Sequence, residues 1–95
     1  KTPAKVFVAI IGDAQKEALQ IARDLRKNGI NTGIELSGRN IKKQLEYADS
    51  LKIPYVVLIG PDEIKRKTVK FRDMKTREEK DIQASELIKY IQKNI

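Results

Sequence analysis

Three bases, Arg39, Lys42 and Lys43, follow directly on Ser37-Gly38, and with no acid among residues 37–43 that short stretch carries a net charge of +3. Asn40 is a favoured helix-capping type, and Ile41, Leu45, Ala48 and Leu51 recur behind it at helical spacing. The bases therefore fall at the start of a helix, where unpaired N–H groups and the positive end of the helix dipole favour an anion. A backbone phosphate of a nucleic acid suits such a place, with Gly38, Arg39, Lys42 and Lys43 as its contacts. Lys42 and Lys43 also fit the solvated face of an amphipathic helix, and spacing does not separate the two readings.

A second group has the opposite sign. Asp62 and Glu63 follow the apolar run Val56-Val57-Leu58-Ile59 and Gly60-Pro61. Carboxylates beside a basic surface repel phosphate, but they can accept hydrogen bonds from the amino or ring N–H groups of an unstacked base, which is how single-stranded RNA is read. The competing reading is a turn in which Asp62 bonds its own backbone. Further on, Val69 and Phe71 alternate with Lys70 and Arg72, placing both bases on the outer face of a strand. At about 3.3 Å per residue, such a strand carries Arg72 well away from Glu63. Tyr47 and Tyr55 could stack on bases, yet Tyr55 leads a buried strand and Tyr47 lies near a core stripe, so packing is the expectation for both.

The net charge of +7 is concentrated. Residues 65–80 hold eight bases against Asp73, Glu78 and Glu79, a balance of +5; with +3 from residues 37–43, the remainder sums to −1. Such clustering suits a polyanion partner, although a lysine-rich surface also suits a heat-stable protein. Histidine and cysteine are both absent, which removes the commonest general base and metal ligand, any thiolate zinc site and any disulfide framework. No catalytic set and no metal site is expected. The apolar runs Val6 to Ile11 and Ile53 to Ile59 are too short to cross a bilayer, and the first residues lack a signal-peptide pattern, so a soluble chain is expected.

The elements that must position these groups are legible in outline. Lys5 to Ile11 reads as a strand buried on both faces, followed by a Gly12-Asp13 turn with Asp13 as helix cap. Ala14, Ala18, Ile21, Ala22 and Leu25 make one face of a helix that Asn28-Gly29 stops. Thr32 to Leu36 is a second strand, and Pro54 stands at the start of a third, Tyr55 to Ile59. A hairpin with a turn near Thr76 and a short strand around Lys80 to Ile82 follows. A last helix, Ser85 to Lys93, turns Leu87, Ile88, Ile91 and Ile95 to the core. The expected fold class is α/β: a mixed five-stranded sheet, three parallel strands plus an antiparallel hairpin, flanked by three helices in three layers. Residues 1–95 read as one domain. In such sheets ligands favour the carboxyl ends of the strands, which points to Gly12-Asp13, Ser37 to Lys43 and Gly60 to Glu63.

In order along the chain, Leu25-Arg26-Lys27-Asn28-Gly29, the Lys42-Lys43-Gln44-Leu45 and Tyr47-Ala48-Asp49 helix, Val56-Val57-Leu58-Ile59-Gly60, and Val69 to Thr76 resemble the C-terminal anticodon-binding domain of histidyl-tRNA synthetase, in the class IIa synthetase family. The resemblance implies an anticodon-binding-domain fold and a fragment of a larger cytoplasmic ligase. It implies the anticodon loop of tRNA(His) as partner, and no cofactor in this domain. ATP and Mg would serve a catalytic domain elsewhere in the parent, against whose dimeric core this domain packs in family members. It implies a base-reading role for Glu63 in a Gly-x-x-Glu loop, and for Arg72 a role in holding anticodon nucleotides. Lys65-Arg66-Lys67 and Arg77 depart from the pattern, standing where small turn residues, often glycine, are common.

Other classes fit less well. A nucleotide-binding enzyme would want G-x-G-x-x-G or a P-loop, and only isolated Gly12, Gly38 and Gly60 are present. A phospho-receiver would want clustered carboxylates at strand ends, and Asp13 with Asp62 is a meagre supply. A regulatory paralogue without tRNA charging, or the equivalent domain of a threonyl, prolyl or glycyl enzyme, remains as the other reading.

Overall fold

A computed structural model describes residues 3–95. Its sheet has the order β2-β1-β3-β4-β5. β1 (Val6–Ile10) lies parallel between β2 (Thr32–Ile34) and β3 (Tyr55–Ile59), and β4 (Thr68–Asp73) and β5 (Glu79–Gln83) extend the sheet antiparallel beyond β3. The expected three parallel strands plus hairpin are present, with β2 shorter than Thr32 to Leu36.

All five residues of β1 are buried because helices cover both of its faces. On one face, Val6, Val8, Val57, Ile59, Val69, Phe71 and Ile82 pack against Ala18, Ala22 and Leu25 of α1 (Gln15–Lys27) and Leu87 and Ile91 of α4 (Leu87–Asn94). On the other, Phe7, Ala9, Val56 and Leu58 meet Ala48 of α2 (Ile41–Ser50), and Ile53 beyond it. α1 and α2 end alike. Ile30 N–H donates to Leu25 O and Gly29 N–H to Arg26 O; Ile53 N–H donates to Ala48 O and Lys52 N–H to Asp49 O. These are paired bonds of the type that closes a helix through a left-handed residue, here Gly29 (φ 80°) and Lys52 (φ 59°).

Four details correct the sequence expectation. Asp13 does not cap α1: Ala14, only 1% exposed, takes the cap position because burying it against the sheet sets the phase of the helix, and no side chain among the described residues bonds there. Leu51 is half exposed, since the left-handed turn at Lys52 swings Ile53 into the core in its place. Ile95, beyond the end of α4, is likewise exposed. There are four helices among the described residues, not three, because Pro61–Arg66 forms α3. Its start was readable in retrospect: Pro61 in the first turn, Asp62 and Glu63 beside it, and Lys65 and Arg66 in the last turn complement a helix dipole. Six residues are too few to display a periodic apolar face.

Candidate nucleic-acid interface

At the start of α2, Asn40 caps as expected: its Oδ1 accepts from Lys43 N–H at 2.9 Å. Lys42 and Lys43 are exposed and enter no ion pair among the described residues. They remain available to an outside anion. Arg39 differs. Its Nη2 donates to Glu35 Oε1 at 2.7 Å and its Nε to Glu35 Oε2 at 3.2 Å. Glu35 also accepts from Ser37 N–H and Arg39 N–H, and its side chain is 1% exposed. The Arg39 hydrogen bonds hold the Glu35 carboxyl below the usual carboxylate range against the opposing effect of burial, and Glu35 in turn holds the guanidinium above its usual value. The charge of +3 counted over residues 37–43 is therefore an overestimate of the local field. Glu35, two positions upstream, cancels one base.

The loop between β2 and α2 is fixed from below. β2 ends at Ile34, and the last strand-like bond on that edge runs from Glu35 N–H to Val8 O at 3.0 Å. The N–H and C=O of Ile10 face the position β2 has vacated, and Gln44 fills it: Oε1 accepts from Ile10 N–H at 2.7 Å, and Nε2 donates to Ile10 O at 2.7 Å and to Arg39 O at 2.6 Å. Buried at 1% exposure, Gln44 ties β1, the loop and α2 together. Gly38 turns that loop at φ 72°, with open space where a side chain would stand. A hollow of about 550 Å³ opens here, walled by Leu19 and Leu36 and bordered by Gly38, Arg39 and Asn40.

Asp62 and Glu63 lie in the first turn of α3, so the Gly-x-x-Glu segment is helical and not a loop. Asp62 is exposed, whereas Glu63 is 5% exposed, with Arg66 Nη2 at 3.5 Å from its Oε2. Close packing explains Gly60: a Cβ there would stand 3.0 Å from Ile11 and 3.1 Å from Glu63 Oε1. Glu63 lines a larger hollow of about 770 Å³ between α1 and α3, with Glu17, Asp24, Arg66 and Lys67.

Lys70 and Arg72 do face away from the α1 and α4 side, on the α2 side of the sheet, but both are paired across to β5. Lys70 Nζ donates to Asp81 Oδ1 at 3.1 Å and Arg72 Nη1 to Glu79 Oε2 at 2.7 Å, each pair being direct cross-strand neighbours. Arg72 stands opposite Val56, near the amino end of β3, while Glu63 follows its carboxyl end. The structure keeps these two apart. It brings Arg72 together with Lys42, Glu46, Asp49, Met74 and Arg77 around a hollow of about 260 Å³, and leaves the buried Arg72 Nε without a hydrogen-bond partner among the described residues. Two departures from the family pattern adopt the glycine-like conformation: φ is 58° at Lys67 and 66° at Arg77.

Two residues, Glu35 and Gln44, escaped the sequence reading as parts of the site. Glu35 and Arg39 are four apart, a spacing that signals contact only within a helix, and here it spans a loop. Gln44 sits at the buried phase of α2 between Ile41 and Ala48, a polar residue where an apolar one is expected; that was the available signal. Tyr47 is 40% exposed, with its ring 4.4 Å from the Arg39 guanidinium carbon and 5.8 Å from the ring of Phe7. Tyr55 packs as expected, stacked on Phe71 at 5.3 Å.

Residues 5–94 match the family described as anticodon binding domain. A histidine–tRNA ligase of Caldicellulosiruptor bescii is 39% identical over 92 residues, 96% of this chain and 22% of that protein. Another, of Thermococcus kodakarensis, is 39% identical over 89 residues, 90% of this chain and 20% of its own length. The crystal structure of histidyl-tRNA synthetase from Nostoc sp. PCC 7120 superposes with a TM-score of 0.91 at 28% identity, over 97% of this chain and 22% of that one. The chain thus spans about a fifth of the length of these relatives.

Proposed function

Because the chain belongs to the anticodon binding domain family, we propose that it binds the anticodon stem-loop of tRNA(His) as the recognition module of a cytoplasmic histidine–tRNA ligase. The observation that carries this reading is the start of α2, where Asn40 presents a capped helix end flanked by two exposed lysines without ion-pair partners among the described residues. Phosphate contacts there would position the RNA, and base contacts elsewhere would choose it. Glu63, lining its hollow, is the candidate acceptor for a base edge, while Asp62, Lys70 and Arg72 complete the proposed surface with Gly38 and Arg39. The ATP- and Mg-dependent chemistry of charging would reside in a dimeric catalytic domain of the parent.

The test is a fluorescence-anisotropy titration of the chain with stem-loops of different anticodon sequence at low and moderate salt. Salt-sensitive binding that favours the histidine anticodon GUG is expected. Absence of binding to any stem-loop at low ionic strength overturns the reading.

A further inference from the structure

We propose that Arg39 and Tyr47 form a stacking platform for one unstacked base of the bound RNA, with Glu35 as the positioning residue that sets the plane of the guanidinium. The inference rests on the RNA-binding reading and assigns a surface and a role within it.

Three features carry it. The bidentate bond to Glu35 occupies the Nε and Nη2 edge of Arg39 and pins the guanidinium plane to a carboxylate that is itself buried. Tyr47 lies 4.4 Å from the guanidinium carbon on one face, and Phe7 supports the tyrosine from within the core. The Arg39 side chain nevertheless remains 34% exposed and Tyr47 40% exposed. What is left to a ligand is a flat, partly uncovered cation and ring, plus the Nη1 donors, for which no hydrogen bond is formed within the described residues.

The neutralised charge decides which ligand fits. A phosphate near Arg39 would feel Glu35 as well, so the pair offers little net attraction to an anion, unlike Lys42 and Lys43. A base is uncharged and presents a π-face, and both arginine planes and aromatic rings stack on bases irrespective of sequence. Lys43, four residues from both Arg39 and Tyr47 in the sequence, supplies a phosphate contact beside the platform. An ordinary packing role would also bury Tyr47 on Phe7, but it needs neither the exposure nor the fixed guanidinium.

The test is a cycle between protein and RNA. Tyr47→Leu keeps an apolar cover on Phe7 and removes the ring; Arg39→Lys keeps the charge and removes the plane. Each is titrated against stem-loops in which one loop base at a time is replaced by an abasic sugar. Each variant is expected to lose about 5- to 150-fold in affinity for the intact loop, with little change in salt slope. At one loop position the abasic change should cost the variants nothing further, the non-additivity expected of groups in contact. Glu35→Gln should also weaken binding, although it removes a negative charge from the protein. Wild-type affinity in a folded Tyr47→Leu or Arg39→Lys protein, or full additivity at every loop position, overturns the platform while leaving RNA binding intact. Failure of the wild-type chain to bind any stem-loop overturns both.

Discussion

Gln44 spends both ends of its carboxamide on Ile10, accepting from its N–H and donating to its carbonyl at 2.7 Å each, and so stands in for the strand residue that β2 does not supply. The end of β1 and the start of α2 are held in one geometry by that single side chain. Removing it exposes an energetic asymmetry, because unmade buried hydrogen bonds cost more than made ones contribute.

Gln44→Leu is close in volume but leaves Ile10 N–H, Ile10 O and Arg39 O without this partner. Urea unfolding should show a loss of about 2–4 kcal/mol. RNA affinity of the folded fraction should fall too, since the loop carrying Arg39 loses its anchor. Unchanged stability would mean that water replaces the amide.

Replacing Lys42 and Lys43 together with glutamine should weaken all stem-loops by a similar factor and lower the salt slope by about 1–2. Neither lysine has an ion-pair partner among the described residues, so the melting temperature should hardly move. A loss confined to one anticodon sequence would show that they read bases.

Glu63→Gln keeps shape and replaces an acceptor-only group with one donor and one acceptor. Discrimination between a GUG stem-loop and a scrambled loop should drop by about 1–3 kcal/mol, by analogy with base-edge contacts in DNA. Equal tightening toward both loops would reduce Glu63 to a helix-start carboxylate that merely repels RNA.

Stability should carry the signature of Glu35. Its folded pKa is depressed chiefly by the Arg39 side-chain hydrogen bond, so the pair stabilises the fold fully above the ordinary carboxylate value, about 4.3. That contribution is lost as pH falls through the lower folded value. Denaturation followed from pH 7 to pH 2 should show an acid-labile component that Glu35→Gln removes. Identical pH profiles would assign the acid loss to other carboxylates.

Arg77→Gly tests the left-handed turn. With φ at 66°, a residue bearing Cβ is strained by about 1–2 kcal/mol, of which glycine returns about 0.5–1 kcal/mol after its own entropic cost. The variant should melt higher and bind RNA more weakly through loss of a charge, and a destabilised variant would show that Arg77 makes compensating contacts.

Much of the frame was legible in residue order. The apolar spacing of Ala18, Ala22 and Leu25, the runs Val6 to Ile10 and Tyr55 to Ile59, the Asn28-Gly29 stop and the Asn40 cap act over one or two turns or within one strand, so local pattern determines them. Positions of opposite charge were legible too, but not their partners. Arg72 meets Glu79 only through the register of β4 against β5, and Arg39 meets Glu35 only because the loop at Gly38 folds back over the end of β2. These pairings, the exposure of Tyr47 and the use of Gln44 as a missing strand depend on where separate elements come to rest. Local spacing carries no information about that, since the same charges would attract equally in any arrangement that brought them together; the tertiary structure chose which bases are spent internally and which, at Lys42 and Lys43, remain for a partner.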